Sequence, residues 1–342
     1  MIPNIEIVLK LCIINVHEGM IMMNNTEQLS IAINESAIRY ALFNDQGELK
    51  VRKSVPTPTD NIDNFLKAIY NIVEENQKNI YGIGISVPGQ VDQTDGIIYQ
   101  GGSLPLLHGL SLGKIIAARY DLPVAMQSVG ICAATAAHWN GNLRGIHNGA
   151  ALILDDGVEA GIILNDHIFT GNHLEAGALG MILANPQADA PSPSQIMFNA
   201  CSATKMVQKI GNVLQLSDPN DDTKVFKAIE NGEANARELF NEYCRNVAYM
   251  ISNTQAVLDL NKYVICGRIS TQSILVPEIN HQLQVIRDNF SLLKETLHMP
   301  NVETSVFKQD TDLYGAYYFA LSQFDFKNYV DNLESQTPTT EQ

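Results

Sequence analysis

The chain has 342 residues, 45% apolar and 17% charged, which is a globular composition too long for one ordinary core, so two lobes are expected. Its 22 Lys and Arg against 37 Asp and Glu leave a net charge of −15, which repels nucleic-acid phosphates and anionic membranes over about 8 Å at physiological salt and excludes both as default partners. Cys12, Cys132, Cys201, Cys244 and Cys266 form no CxxC pair, which excludes a disulfide framework and fits a reducing cytoplasm, with Cys132, Cys244 and Cys266 read as small buried hydrophobes.

The opening MIPNIEIVLKLCIINVHEG has about ten apolar residues, is interrupted by Glu6 and Lys10, and lacks a small-residue cleavage site; it reads as neither signal peptide nor membrane span. Met20, Met22 and Met23 follow, so residues 1–28 are expected to be an extension, its first part to about residue 22 being sequence read from an early start codon. The alternative is an extra strand on the first lobe.

Organised sequence begins near Leu29. SIAINESAIRYALFNDQGELKVRKSV alternates apolar and polar residues across turns at Asn34–Ser36 and Asn44–Gly47, which predicts three antiparallel strands. Asp60 is then expected to cap a helix carrying Ile62, Phe65, Leu66, Ile69, Tyr70 and Val73 at helical spacing. IYGIGISVPG predicts a buried strand, SLGKIIAARY a helix, PVAMQ a strand, and GICAATAAHW a helix that packs closely through small residues.

From Asn148 the pattern restarts. GAALILDD, GIILN and HIFTG predict a second strand set, so the chain reads as an internally duplicated α/β protein. A long helix is expected from about Asn235 to Leu258, then a buried strand in KYVICGRIS, a closing helix in DLYGAYYFALSQF and a polar tail, 326–342, with nothing to order it.

Taken together, GISVPGQVD at Gly84–Asp92, Leu122-Pro123-Val124, GIILNDHIFTG at Gly161–Gly171, AGALGM at Ala176–Met181, Ser202–Thr204, ICGRIS and YGAYYFAL resemble, in order, the motifs of the ROK family of sugar kinases and sugar-responsive repressors. The resemblance implies the duplicated actin-like ATPase (ribonuclease H-like) fold, an α/β architecture of two lobes around a cleft. It places one lobe at 29–136 with the closing helix 310–325, and the other at 137–309. It also implies a homodimer, and ATP with magnesium and zinc as the family's cofactors.

At the functional positions the chain departs from the family. The first phosphate hairpin, DxGGTK in the family, lines up with Ala32–Ala37, so its acid, glycines and lysine are gone and Asn34 and Glu35 stand at the turn. The second, GTGIGGG, falls on Asp155-Asp156-Gly157-Val158-Glu159-Ala160-Gly161. A carboxylate about 4 Å from a phosphate oxygen costs about 1 kcal/mol even in water, so these acids oppose ATP and read as hydrated turn residues rather than a metal site.

The family's base, the Asp of an ND pair, takes the proton from the attacking sugar hydroxyl; Ser128 and Val129 stand there, and valine accepts no proton. The family's GExGH and CxCGxxGCxE zinc elements line up with Gly177–Met181 and a cysteine-free stretch, with Phe198 at the place of a sugar-binding Glu, so zinc is not expected. Of the GGG turn on the adenine side only Gly267 remains, flanked by Cys266 and Arg268; Arg268 could stack on a base or pair with an anion, and is read first as a solvated surface residue. GGSLPLLHGL lies where the family contacts sugar and offers Ser103 and His108.

The reading that follows is a degenerate ROK-like protein without phosphotransfer and without cofactor, responding to a small carbohydrate ligand or a partner. One alternative is an active hexose kinase whose base is displaced to Asp155 or Glu175. Another is a ROK-type repressor without its DNA-binding domain, since residues 1–28 are too short for the helix-turn-helix module of about 60 residues.

Overall fold

A computed structural model describes residues 27–93, 95–184, 192 and 195–336, with side chains as far as Phe324. The extension expected before Glu27, most of the loop expected to lack zinc ligands, and the last six residues of the expected tail lie outside the described residues. The chain divides into a first unit that ends at Ser128 and resumes at Leu313, and a second unit, Val129–Asp312.

In the first unit β1 (Glu27–Ile33), β2 (Ala37–Asn44) and β3 (Leu49–Pro56) form an antiparallel meander. Then α1 (Ile62–Asn76) leads to β4 (Ile80–Val87), which runs parallel to β1. The small β5 (Gln90–Asp92) and β6 (Ile97–Tyr99) and helix α2 (Leu112–Tyr120) precede β7 (Val124–Ser128), parallel to β4. The sheet order is β3-β2-β1-β4-β7.

Period-2 alternation decides which face each residue serves. Leu29, Ile31 and Ile33 pack with Phe65, Ile69, Ile72 and Val73 of α1, all buried. On the opposite face Gly84 lies so close to the closing helix α10 (Thr311–Gln336) that a Cβ there would sit 2.2 Å from the Ala316 carbonyl oxygen. The cap of α1 is Asn61 rather than the expected Asp60: Asn61 Oδ1 accepts from the Asn64 N–H at 2.9 Å. Asp60 instead accepts from the side-chain amides of Asn61 and Asn64 at 2.7 and 2.6 Å.

The second unit repeats the plan. β8 (Gly149–Leu154), β9 (Val158–Leu164) and β10 (His167–Phe169) form the meander, β11 (Lys262–Cys266) joins β8 in parallel and β12 (Asn301–Thr304) joins β11. The order β10-β9-β8-β11-β12 is that of the first sheet. One face carries Phe240, Tyr243, Val247 and Ile251 of the long α7 (Ala234–Leu258) against Leu152, Ala160 and Ile162. Labelled before it in chain order are α3 (Val129–Asn140), the short α4 (Met197–Ala200), α5 (Ala203–Val213) and α6 (Asp222–Glu230); after it come α8 (Leu275–Asn289) and α9 (Ser291–Thr296).

Helix α3 covers the other face with Ala133, Ala134 and Ala137, packed on Ala151, Ile153, Ile163, Val264 and Cys266. Gly130 and Gly161 permit this closeness, because a Cβ on either would stand 2.5 Å and 2.1 Å from a backbone oxygen of the other segment. This contact puts all of α3 in the second unit, so the boundary falls at Ser128/Val129, ahead of the expected 136/137. The Ser305–Thr311 hydroxyl pair, 2.8 Å apart, likewise keeps residues up to Asp312 there, past the expected end at 309. Helix α10 runs to Gln336, where a tail without order was expected from residue 326. Among the described residues no helix is long and apolar enough to cross a membrane.

Candidate functional site

In the first unit the β1–β2 turn closes on itself. Asn34 Oδ1 accepts from the Ser36 N–H at 3.2 Å, the Ser36 hydroxyl at 3.0 Å and the Ala37 N–H at 2.8 Å. An Asn at such a turn replaces a backbone acceptor by its side chain, which is why the chain reverses here without glycine. Glu35 is exposed at the tip. The Ser36 and Ala37 amides of this turn are therefore spent on Asn34.

Ser103 is half-buried and His108 exposed, on either side of the short helical turn Pro105–Leu107. His108 Nδ1 accepts from the Gln100 N–H at 3.0 Å, so the neutral ring carries its proton on Nε2 and the side chain acts first as a clasp across its own loop. Ser128 ends β7, and its N–H donates to Gln127 Oε1 at 2.7 Å. Val129 opens α3, half-buried against its apolar face.

The β8–β9 turn of the second unit is tied to distant segments. Asp155 Oδ1 accepts from the Arg268 N–H at 2.6 Å, while the Asp155 carbonyl accepts from Ala203 N–H at 2.9 Å and Thr204 N–H at 3.4 Å at the start of α5. The Thr204 hydroxyl donates to Asp156 Oδ1 at 2.8 Å and accepts from Arg268 Nη2 at 3.4 Å. Arg268 Nη1 donates to Asp222 Oδ2 at the first position of α6.

Both acids were expected to be hydrated turn residues, which the structure corrects; of the readings of Arg268 it shows the pairing with an anionic group, here Asp222. Asp155, Asp156 and Arg268 are half-buried and bonded to one another's surroundings, because α5, α6 and the turn at Gly267 converge on the end of β8. Gly157 is buried under the Phe198 ring, where a Cβ would meet ring carbons at 2.2 and 2.3 Å. Phe198 also approaches Gly180, its Cβ 3.1 Å from where a Cβ on that glycine would stand. Glu175 is exposed in the loop after β10, and its carbonyl accepts from the Ala178 N–H at 3.1 Å.

Sequence reasoning missed Thr204 and Asp222 as partners in this network. Thr204 lies in the Ser202–Thr204 run singled out above for its resemblance, and caps give a further signal: the Ser202 hydroxyl accepts from Lys205 N–H at 3.1 Å and Asp221, just before Asp222, accepts from Lys224 N–H at 3.0 Å.

The ROK family model matches residues 28–323. The chain belongs to the ROK family. This ROK protein is 23% identical to the beta-glucoside kinase of Listeria monocytogenes over 293 residues, 85% of this chain and 96% of that one. It superposes on the ROK family glucokinase from Streptomyces griseus, solved in complex with glucose and AMPPNP, with a TM-score of 0.75 at 17% identity, covering 85% and 97% of the two chains. A ROK family transcriptional regulator, described as a homolog of the E. coli MLC protein, superposes with a TM-score of 0.70 at 20% identity, covering 87% of this chain and 78% of that one. The fold is accordingly the α/β actin-like ATPase fold of ROK sugar kinases, in two lobes.

Proposed function

We propose that this ROK protein is a non-catalytic, carbohydrate-responsive regulator that binds a small sugar and transfers no phosphate. The observation that carries the reading is Val129, the first residue of α3 directly after β7, at the place where the family's base is expected. An isopropyl group takes no proton from a sugar hydroxyl. The carboxylate that an active kinase would recruit instead, Asp155, already accepts from the Arg268 N–H, and Glu175 is held only on an exposed loop.

The phosphate-facing turns support the same reading. Asn34 takes up the amides of the first turn and places Glu35 beside them; the second turn presents Asp155 and Asp156. Phosphoryl transfer depends on positioning and on charge stabilisation, and carboxylates at both turns work against each. The donor set does not fit zinc either. Met181 is an exposed thioether, and the sequence from Met181 to Cys201 offers no cysteine before Cys201 itself.

The carbohydrate ligand is proposed by analogy with the glucose bound to the Streptomyces griseus relative, with Ser103 and His108 as the polar groups offered to it. A reducing cytoplasm and a homodimer complete the proposal; light scattering tests the second. The names of the kinase relatives favour an active sugar kinase as the competing reading. A thermal-shift screen with monosaccharides, run beside a coupled kinase assay on the same sugars, separates the two. Binding without turnover is expected, and ATP-dependent phosphorylation of a hexose would overturn the proposal.

A further inference from the structure

We propose that His108 is a pH-sensitive clasp on the loop that offers Ser103 to a ligand: neutral, it holds Gln100–Gly102 in a left-handed run, and protonated, it lets that run go. The inference rests on the function proposed above only in calling this loop a ligand site; the clasp itself stands on the geometry of the loop.

The run is held against its own preference. Gln100, Gly101 and Gly102 have φ of 62°, 53° and 54°, and Gln100 is the one non-glycine of the three, at a φ that is unfavourable for an L side chain. Gly89 stands close against the run, where a Cβ would lie 2.8 Å from both the Gly101 nitrogen and the Tyr99 carbonyl oxygen. The rest of the loop is anchored. Leu104 and Leu107 are buried, and the Leu104 N–H donates to the Gly101 carbonyl at 2.8 Å. The Gly109 N–H donates to the Ile98 carbonyl at 2.8 Å and the Ile98 N–H to the Leu110 carbonyl at 3.1 Å, which fastens the two ends together. Between these fixed points the Gln100 N–H is taken by His108 Nδ1 at 3.0 Å.

That bond exists only while Nδ1 keeps a lone pair. An imidazole that takes up a second proton carries an N–H on both nitrogens and can accept from neither side. Protonated, His108 turns a donor towards the Gln100 N–H, and the two repel. The ring is exposed, so solvent protons reach it in the closed loop. The ionisable groups of the adjoining segments are Asp92, Asp95 and Tyr99 on the β5–β6 hairpin and Lys114 on α2; among the described residues none of them is bonded to His108. Ser103 follows the run directly, so release of the clasp loosens the residue whose hydroxyl is offered to a ligand, while Leu104 and Leu107 keep the change local.

Amide hydrogen exchange of the full chain, resolved by residue and divided by the intrinsic rate at each pH, reads the clasp directly. Protection of the Gln100 N–H is expected to fall by at least about fivefold between about pH 7.5 and about pH 5.5, the equivalent of one ordinary hydrogen bond. His108→Asn sets Oδ1 where Nδ1 stood and does not titrate, so it should keep the protection at both pH values. His108→Leu offers no acceptor and should lack the protection at both. The Ser36 and Ala37 N–H groups, which Asn34 accepts, serve as controls in a turn without histidine and should not change. The proposal is overturned if wild-type Gln100 keeps its protection at the lower pH, if a pH-dependent loss persists in His108→Asn or His108→Leu, or if the control amides lose protection alongside it. A sugar screen that finds no ligand would sink the function proposed above and leave these outcomes unchanged.

Discussion

The β1–β2 and β8–β9 turns hold the same place in two sheets of identical strand order, yet they are fastened in opposite ways. Asn34 closes the first with three bonds to residues at most three positions away, and the neighbouring Thr57 hydroxyl adds one to its carbonyl at 2.7 Å. The second is fastened by Thr204, which is 48 residues from Asp156, and by Arg268, which is 113 from Asp155. A turn satisfied locally can change sequence without disturbing its neighbours. A turn that joins three other segments has become part of the framework, and its carboxylates now have structural work where glycines would have left amides free.

The comparison breaks most readily at Asp155. Asp155→Ala removes the acceptor of the Arg268 N–H and leaves that donor half-buried, which is expected to cost about 1.5–3 kcal/mol, read as a lower urea midpoint with unchanged slope. A loss no greater than that of an exposed substitution would mean that the long-range fastening contributes little.

Gly157 tests the packing of the same turn. A methyl group there meets the Phe198 ring at 2.2 Å, so Gly157→Ala should cost about 1–3 kcal/mol through overpacking. Combining it with Phe198→Ala should cost less than the sum of the two, because the clash disappears with the ring. Additive losses would place the strain elsewhere.

The first turn should be milder. Asn34→Ala is expected to cost about 1 kcal/mol, since three N–H and O–H donors lose a side-chain acceptor but remain near water. Glu35→Ala, at the exposed tip, should stay within about 0.5 kcal/mol. Thermal melts of the two variants side by side check the difference, and equal losses would remove the special place given to Asn34.

Sequence made the framework legible because its signals are local. Leu29, Ile31 and Ile33 alternate, Phe65, Ile69 and Val73 recur at helical spacing, and both patterns fix a face without reference to the rest of the chain. The restart at Asn148 exposed the duplication in the same way. The network around Arg268 was illegible for the opposite reason: nothing in the run ICGRIS ties it to Asp222 or Thr204, and only the convergence of α5 and α6 on the end of β8 brings them together. The cap at Asn61 was missed by one position, because Asp60 and Asn61 are both good caps and the choice rests on which side chain reaches the Asn64 N–H.

Val129 gives the smallest effect and the one that bears most on function. From sequence alone, a carboxylate placed there looks like an unpaired buried charge and a costly one. The structure puts the residue at the first position of α3 and only half-buried, where the positive end of a helix favours a negative charge by about 0.3–1 kcal/mol. That gain offsets the weaker apolar packing of an aspartate at the edge of the small cluster around Ala133 and Ala151. Val129→Asp is therefore expected to change stability by no more than about 0.5 kcal/mol, a typical surface-like shift, and to leave a coupled kinase assay at background with every hexose tried. An acid at this one position supplies a proton acceptor but does not free the amides held by Asn34 or displace Asp155 from Arg268, and on the function proposed above the positioning from which phosphoryl transfer draws most of its rate stays absent. Measurable turnover in this variant would show that neither the closure of the first turn nor the fastening of the second prevents phosphoryl transfer.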